Sequence, residues 1–174
     1  NINVLSCATS FSLDRGNEYR MENLMSSGGA GAGAGTTIIQ STDDADHIGD
    51  VIVSNFKVFN AGNGVQGNGL YLRRAVNVIV NGFTMNDLST GGTPRNGVVV
   101  ENDSQGVQIA NGSIVAPSTG VLTQNGGGVA NSPSFLSLLN VSVDQASTNP
   151  ISLAIRSSSS LSKTGTAATE TRCC

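Results

Sequence analysis

Four stretches of the chain share one pattern of apolar and polar positions and align with one another without gaps. Alternation of apolar and polar residues places every second side chain on the same face of a strand, so each stretch predicts a strand with an apolar inner face. They begin 27, 29 and 29 residues apart, and they are VIVSNFKV (51–58), VIVNGFTM (78–85), VQIANGSI (107–114) and LSLLNVSV (136–143).

One position of the pattern interrupts the alternation. Asn and Gly are the residues that best tolerate a left-handed backbone. This position therefore predicts a sharp turn, and the residues that hold it are Asn55, Gly82, Asn111 and Asn140. A new strand is expected after the turn, with Val58, Met85, Ile114 and Val143 pointing inward.

A second family of short stretches lies between the first four and keeps nearly the same period. Its members are NGLYL (68–72), NGVVV (96–100), TGVLT (119–123) and NPISL (149–153). Each repeat thus contains three predicted strands, and repeats of ~25–30 residues that stack on copies of themselves form a solenoid. We predict an all-β solenoid of about five coils over residues 36–155, with a β-sandwich of accidental periodicity as the alternative.

The three-strand repeat and its asparagine turn resemble the right-handed parallel β-helix of the pectate-lyase-like superfamily. The resemblance covers residues 36–155 and implies the fold. That fold carries lyases, hydrolases, phage tailspikes and adhesins, so the function has to be argued from particular residues. In the carbohydrate enzymes of this fold, the resemblance implies a groove along the outward side chains of the first strand.

The two ends of the chain differ from the repeats in composition. Residues 1–35 are predicted to form a cap or arm with a Gly/Ala-rich linker, and residues 156–174 a Ser/Thr-rich tail. Within the arm, residues 16–29 predict either a short capping helix or a loop. The helix would be capped by Asn17 and would carry Met21, Leu24 and Met25 on one face.

The charge and the lengths of the apolar runs argue against a nucleic-acid partner and against a membrane-spanning helix. Charged residues make up 12% of the chain, the net charge is −3, and no basic block is present, so a nucleic-acid partner is not expected. No apolar run approaches the ~20 residues that a membrane helix needs, so no membrane span is expected.

The predicted outward positions of the first strands carry no acid, base or metal ligand. They are Tyr71, Val99, Leu122 and Ser152. A lyase needs a base and a glycosidase needs two carboxylates, so no catalytic residue is predicted on this central stripe.

Two flanking clusters offer the only candidate chemistry. The first contains Asp43, Asp44, Asp46 and Asp50, together with His47. It predicts either a solvated turn or a calcium site, and no cofactor other than calcium is expected.

The second cluster contains Arg73, Arg74, Arg95, Glu101 and Asp103. It predicts either a surface ion-pair ladder or a patch that binds sugar acids. If the protein were an enzyme, the catalytic candidates would be Arg73, Arg74, Asp46, Glu101 and Asp103.

Outward apolar residues predict an interface. Tyr71, Val99 and Leu122 would form one stripe, and Ile52 and Ile79 a patch on the next face. Exposed stripes of this kind usually mark a surface that something covers. The expected cover is either residues 1–34 of the same chain or a neighbouring subunit.

Three cysteines lie near the ends of the chain, at Cys7, Cys173 and Cys174. An odd number in an extracellular chain indicates an intermolecular disulfide or a free thiol. Subunits stacked head to tail would bring these ends together, whereas the alternative is that the two terminal cysteines have no structural role. Asn102 is the best candidate for N-glycosylation, because Asn111 and Asn140 occupy the turn position.

Two functions remain open from the sequence. The first is an extracellular structural protein, a solenoid subunit that stacks head to tail with copies of itself into a filament or surface layer. The second is a carbohydrate-active β-helix, either a polysaccharide lyase, a glycoside hydrolase or a tailspike-like fragment, with a polysaccharide as partner.

Overall fold

The computed structural model describes residues 2–5, 9–27, 36–42, 46–59, 68–86, 96–101, 103–115, 117–124, 136–146 and 149–152. These residues form strands and contain no helix. The strands are β1 (Ile2–Leu5), β2 (Thr9–Asp14), β3 (Gly16–Glu22), β4 (Leu24–Ser27), β5 (Thr36–Gln40), β6 (Ile48–Phe59), β7 (Leu70–Arg73), β8 (Ala75–Asn86), β9 (Val98–Glu101), β10 (Gln108–Val115), β11 (Thr119–Gln124), β12 (Ser137–Asp144) and β13 (Asn149–Ser152).

Every strand pairs in parallel with a strand of the neighbouring turn, which confirms the predicted all-β parallel solenoid. One sheet has the order β1-β4-β6-β8-β10-β12, with β3 also paired to β6, and we call it sheet A. The other has the order β13-β11-β9-β7-β5-β2, and we call it sheet B. A β-sandwich is excluded for this part of the chain, because sandwiches are built from antiparallel sheets.

The number of complete turns is smaller than expected. Three turns, β5–β6, β7–β8 and β9–β10, have paired neighbours on both sides in both sheets. The strands beyond them form incomplete turns at either end. The described solenoid therefore has about three complete turns rather than five.

The predicted turn position holds a column of left-handed residues, as expected. Asn55, Gly82, Asn111 and Asn140 have φ angles of 52°, 69°, 54° and 56°. The backbone remains paired on both sides of the turn, so the second and third predicted strands form one bent strand in β6, β8, β10 and β12.

Asparagine side chains link neighbouring turns at this corner. Asn140 Nδ2 donates to Asn111 Oδ1 at 3.1 Å, and Asn111 Nδ2 donates to Asn81 Oδ1 at 2.9 Å. Asn55 Nδ2 likewise donates to Asn23 Oδ1. Because the Asn111 amide both donates and accepts along the stack, the corner is held by a polar ladder that needs no buried apolar contact.

A second left-handed column lies at the start of the sheet A strands, where the sequence pattern did not indicate one. It consists of Glu18, Asp50, Asn77 and Gly106, with φ angles of 66°, 52°, 55° and 65°. Asn77 Nδ2 donates to Asp50 Oδ1 at 3.2 Å, so this corner also links turns through side chains.

The core lies between the two sheets and is built from stacked columns of identical or similar side chains. Val51 lies opposite Val78, and Val53 lies opposite Val80. All of these are fully buried, as are the sheet B residues Leu70, Leu72, Val98 and Val100. The Phe83 ring packs over Gly112, where an added Cβ would lie 2.1 Å from the ring, so only glycine fits that position.

The predicted capping helix is wrong. Residues 16–27 form β3 and β4, which pair with β6, and Arg15, Glu18 and Asn23 all have left-handed backbones. Tyr19 and Met21 lie opposite Val51 and Val53, so this segment is a further repeat of the same pattern. The strands therefore begin well before residue 36.

Replacing Val80 with Asp should unfold the protein, because Val80 is fully buried at the centre of sheet A and an unpaired carboxylate would enter an apolar interior. The expected loss is at least several kcal/mol of unfolding free energy. Ile79→Asp is the matched control, since the neighbouring Ile79 is 39% exposed and should tolerate the charge. Thermal unfolding followed by circular dichroism would test this, and equal stability of the two variants would contradict the described packing.

Candidate functional site

A row of polar side chains runs along the outer edge of sheet B, parallel to the solenoid axis. The backbone register places its members directly opposite one another, in the order Asp14, Gln40, Arg73, Glu101 and Gln124. Adjacent strands lie ~4.8 Å apart, so the row spans about 19 Å. We call it the polar row, and it brings two carboxylates, one guanidinium and two amide side chains onto one face of sheet B.

Glu101 is the least exposed carboxylate of the polar row, at 7%. Its Oε1 accepts a hydrogen bond from Gln124 Nε2 at 3.1 Å. Burial raises the pKa of Glu101 above its ordinary value, and the hydrogen bond from Gln124 partly opposes that rise. A carboxyl group in this setting holds its proton at higher pH than an exposed one does.

Arg73 lies opposite Glu101 in the register, which is the juxtaposition that the sequence indicated. The salt bridges among the described side chains are instead local, from Arg15 to Asp14 and from Arg20 to Glu22. Within the described chain, the buried Nε of Arg73 has no hydrogen-bond partner. The predicted ion-pair ladder is thus not formed between Arg73 and Glu101.

Arg74 and Asp103 sit at turns rather than on the polar row. Both have left-handed backbones, with φ angles of 49° and 51°. The Arg74 side chain is only 1% exposed, and its Nη1 donates to the backbone oxygen of Ser41 at 3.3 Å. Arg74 therefore supports a corner of the solenoid from inside, and it does not contribute to the polar row.

The acidic cluster of residues 41–50 is only partly described, because Asp43 and Asp44 lie outside the described residues. Asp46 is exposed and its Oδ1 accepts a hydrogen bond from the His47 backbone N at 2.8 Å. Asp50 belongs to the second left-handed column and accepts a hydrogen bond from Asn77. Among the residues that the structure describes, no group of three or more His, Cys, Asp or Glu is placed to hold a metal ion.

The polar row begins at a threonine contact that the sequence did not predict. Asp14 Oδ1 accepts a hydrogen bond from the Thr42 backbone N at 3.0 Å, and Asp14 Oδ2 accepts one from Thr42 Oγ1 at 2.9 Å. These hydrogen bonds lower the pKa of Asp14 below its ordinary value. Asp14 and Glu101 are therefore shifted in opposite directions, because one is exposed and hydrogen-bonded while the other is buried.

The apolar outward residues fall into two groups. On sheet B, Tyr71, Val99 and Leu122 are in register beside the polar row, and Val99 is buried while Tyr71 and Leu122 are half-buried. On sheet A, Ile52 and Ile79 are 37% and 39% exposed. Leu139, which the sequence analysis did not select, is 41% exposed on the same sheet.

Several predicted residues lie outside the described part of the chain. They are the cysteines Cys7, Cys173 and Cys174, the glycosylation candidate Asn102, and Arg95. The predictions made for them remain predictions.

No family model matches the sequence, and comparisons with curated proteins and with solved structures gave no significant match. In the described residues, no helix is long and apolar enough to cross a membrane.

Replacing Glu101 with Gln should stabilise the protein at neutral pH. The pKa of Glu101 is raised on folding, so its contribution to stability is fully present below its ordinary pKa of 4.5 and is lost as the pH rises through the folded-state value. Gln removes this loss and keeps an oxygen for Gln124. We expect the melting temperature of Glu101→Gln to exceed that of the wild type by a few degrees at pH 7, and the difference to vanish in strong acid.

The matched control is Asp144→Asn, which removes one negative charge from an exposed position. Thermal unfolding of both variants across a pH series would distinguish an effect of Glu101 burial from an effect of net charge. A gain at pH 7 that is equal in both variants would mean that net charge, rather than the burial of Glu101, is responsible.

Proposed function

We propose that the protein is an extracellular structural subunit that stacks head to tail with copies of itself into a filament or surface layer. One observation carries the proposal. Several core columns are completely buried in the middle of the described solenoid and only half-buried at one or both of its ends.

The contrast appears in several columns. In sheet A, Val58, Met85 and Ile114 are fully buried, whereas Val143 in the last turn is only half-buried. In sheet B, the column through Leu70, Val98 and Val121 is fully buried, and its end members Phe11 and Ile151 are half-buried. Apolar area at the ends would lose water if another subunit were stacked there, which favours association.

The backbone supports the same conclusion. Within the described chain, β12 pairs only with β10 and β13 pairs only with β11, so each carries one edge of N–H and C=O groups without a strand beside it. Edges of this kind are templates for pairing with another chain. Because every strand is parallel to its neighbours, a continued stack keeps the chain direction and repeats head to tail. A head-to-tail contact that does not close gives an open filament.

The cysteines and the glycosylation candidate support an extracellular location. A disulfide from Cys7 of one subunit to Cys173 or Cys174 of the next would lock such a joint. That bond persists only outside the reducing cytosol. Glycosylation at Asn102 would place the chain in the same compartment.

A specific observation favours a second function, the binding of an acidic polysaccharide on sheet B. The polar row lies beside Tyr71, and the half-buried Arg73 side chain forms no salt bridge with the described residues. A carboxylate of a sugar acid would pair with the terminal nitrogens of its guanidinium, since guanidinium groups pair well with carboxylates. This function agrees with membership of the pectate-lyase-like superfamily, which we propose on the resemblance of the repeat alone.

For assembly, we predict that the sedimentation coefficient of the wild-type protein rises with concentration and that Val143→Glu abolishes the rise. Val143 packs against the core at the half-buried end of its column, so the glutamate places a charge where the next subunit would stack, and circular dichroism verifies that the variant still folds. Gln105→Glu is the matched control, because it adds the same charge at an exposed position just before β10, which has paired strands on both sides and lies away from the joint. A wild type that stays monomeric at every concentration would contradict the proposal.

For the second function, we predict binding of an acidic polysaccharide without its cleavage, with or without calcium. The two carboxylates of the polar row, Asp14 and Glu101, lie three strand spacings or about 14 Å apart, too far to act as a glycosidase pair. Arg73→Ala should weaken binding about tenfold or more, the scale of one charge-assisted hydrogen bond. Arg20→Ala is the control, since Arg20 is exposed on sheet A and paired with Glu22. Affinity electrophoresis measures the binding, and equal affinity of the two variants would contradict the site.

A further inference from the structure

The strands at the two ends of the solenoid define how two stacked subunits would pair, and we call this contact the joint. We infer that β1 of one copy adds to sheet A beside β12 of another copy, and that β2 adds to sheet B beside β13. This inference rests on the proposed head-to-tail assembly, and it names the strands and the register through which that assembly occurs.

The register follows from the columns of sheet A. A single column runs through successive turns from β1 to β12, and its members are Asn3, Met25, Lys57, Thr84, Ser113 and Ser142. The adjacent column begins at Val4 and ends at Val143 in the same way. If the next copy continues these columns, Asn3 lies opposite Ser142, and Val4 lies opposite Val143.

The columns of sheet B independently give the same register between the two copies. Its column starts at Phe11 and ends at Ile151, and the members between them are Thr37, Leu70, Val98 and Val121. Continuing this column places Phe11 of one copy over Ile151 of the other. Both end residues are half-buried, so each offers apolar area to the other.

The pattern of burial at the last turn fits β1 in particular. The first half of β12 is already covered, since Leu138 is 5% exposed and the preceding Leu136 is 4% exposed. The second half is not, since Val141 and Val143 are only half-buried. At the other end of the solenoid, β1 pairs with β4 and not with β3, so it extends only the second half of sheet A.

The two ends are therefore complementary in position as well as in chain direction. β1 extends the second half of sheet A at the N-terminal end, and among the described residues the same half of β12 has no strand beyond it at the C-terminal end. Parallel addition of β1 would supply backbone partners along the β12 edge, and each such hydrogen bond contributes modestly to a cooperative joint.

A pair of introduced thiols at the predicted register tests the joint. All chains carry Cys7→Ser, Cys173→Ser and Cys174→Ser, which removes the natural thiols. One chain then carries Asn3→Cys and the other Ser142→Cys, and the two are mixed and mildly oxidised. Paired strands lie ~4.8 Å apart, within the ~4.4–6.8 Å range between Cα atoms that a disulfide requires.

We expect a covalent dimer on non-reducing electrophoresis that reductant returns to monomer. The matched control replaces Ser142→Cys with Ser113→Cys, which lies in the same column one turn inside the solenoid and should give no dimer band. Sedimentation of the same mixtures before oxidation reports assembly separately.

The outcomes separate the two proposals. Assembly in sedimentation with no covalent dimer from the mixture of Asn3→Cys and Ser142→Cys chains would overturn the joint and leave head-to-tail assembly standing. Equal dimer from the Ser113→Cys control would also overturn the joint, because the contact would not be specific. Monomers in sedimentation together with no covalent dimer would overturn both.

Discussion

The constraint on which the structure depends is the constant register between one turn of the solenoid and the next. Each strand pairs in parallel with the equivalent strand of its neighbour, and the pairing is maintained across the left-handed corners. A net contribution of about 1 kcal/mol per hydrogen bond is small, but it is repeated along every strand. The corners at Asn55 and Asn111 return the chain to the same register after each turn, and without them the columns would drift.

A fixed register converts sequence positions into columns along the axis. Apolar positions become the buried stacks that contain Val53 and Val80, and asparagines become the ladder that ends at Asn140. The polar row follows from the same rule, because Arg73 and Glu101 occupy equivalent positions of successive turns. A repeated surface of this kind suits a long or repeated partner, and the half-buried ends of several columns are the basis on which we propose another copy of the same chain.

The sequence predicts the repeating part of this fold well, because strand alternation and the Asn or Gly turn are local properties. It predicts the N-terminal strands poorly. Met21, Leu24 and Met25 satisfy the spacing of a helix as well as that of bent strands, and the signal that decides between them is Asn23, which follows Tyr19 and Met21 as Asn55 follows Val51 and Val53.

Burial on the outer face could not be predicted from alternation. Val99 and Glu101 are 1% and 7% exposed, although the alternation of β9 places both on its outer face and Val99 was expected on an outer stripe. Arg74 is a related case, since a charged residue at a turn is expected to be exposed, and here the corner encloses it. Asp50, Asn77 and Gly106 of the second left-handed column are residue types that tolerate such a backbone, but each lies one residue before an aligned stretch, where no alternation is present to be interrupted.

The most direct test of assembly by continued stacking is X-ray fibre diffraction from aligned, concentrated protein. Turns that continue from one subunit into the next place successive strands ~4.8 Å apart along the filament axis, so a reflection at that spacing should lie on the meridian. A reflection at the same spacing on the equator, with strands stacked across the filament rather than along it, would contradict the account.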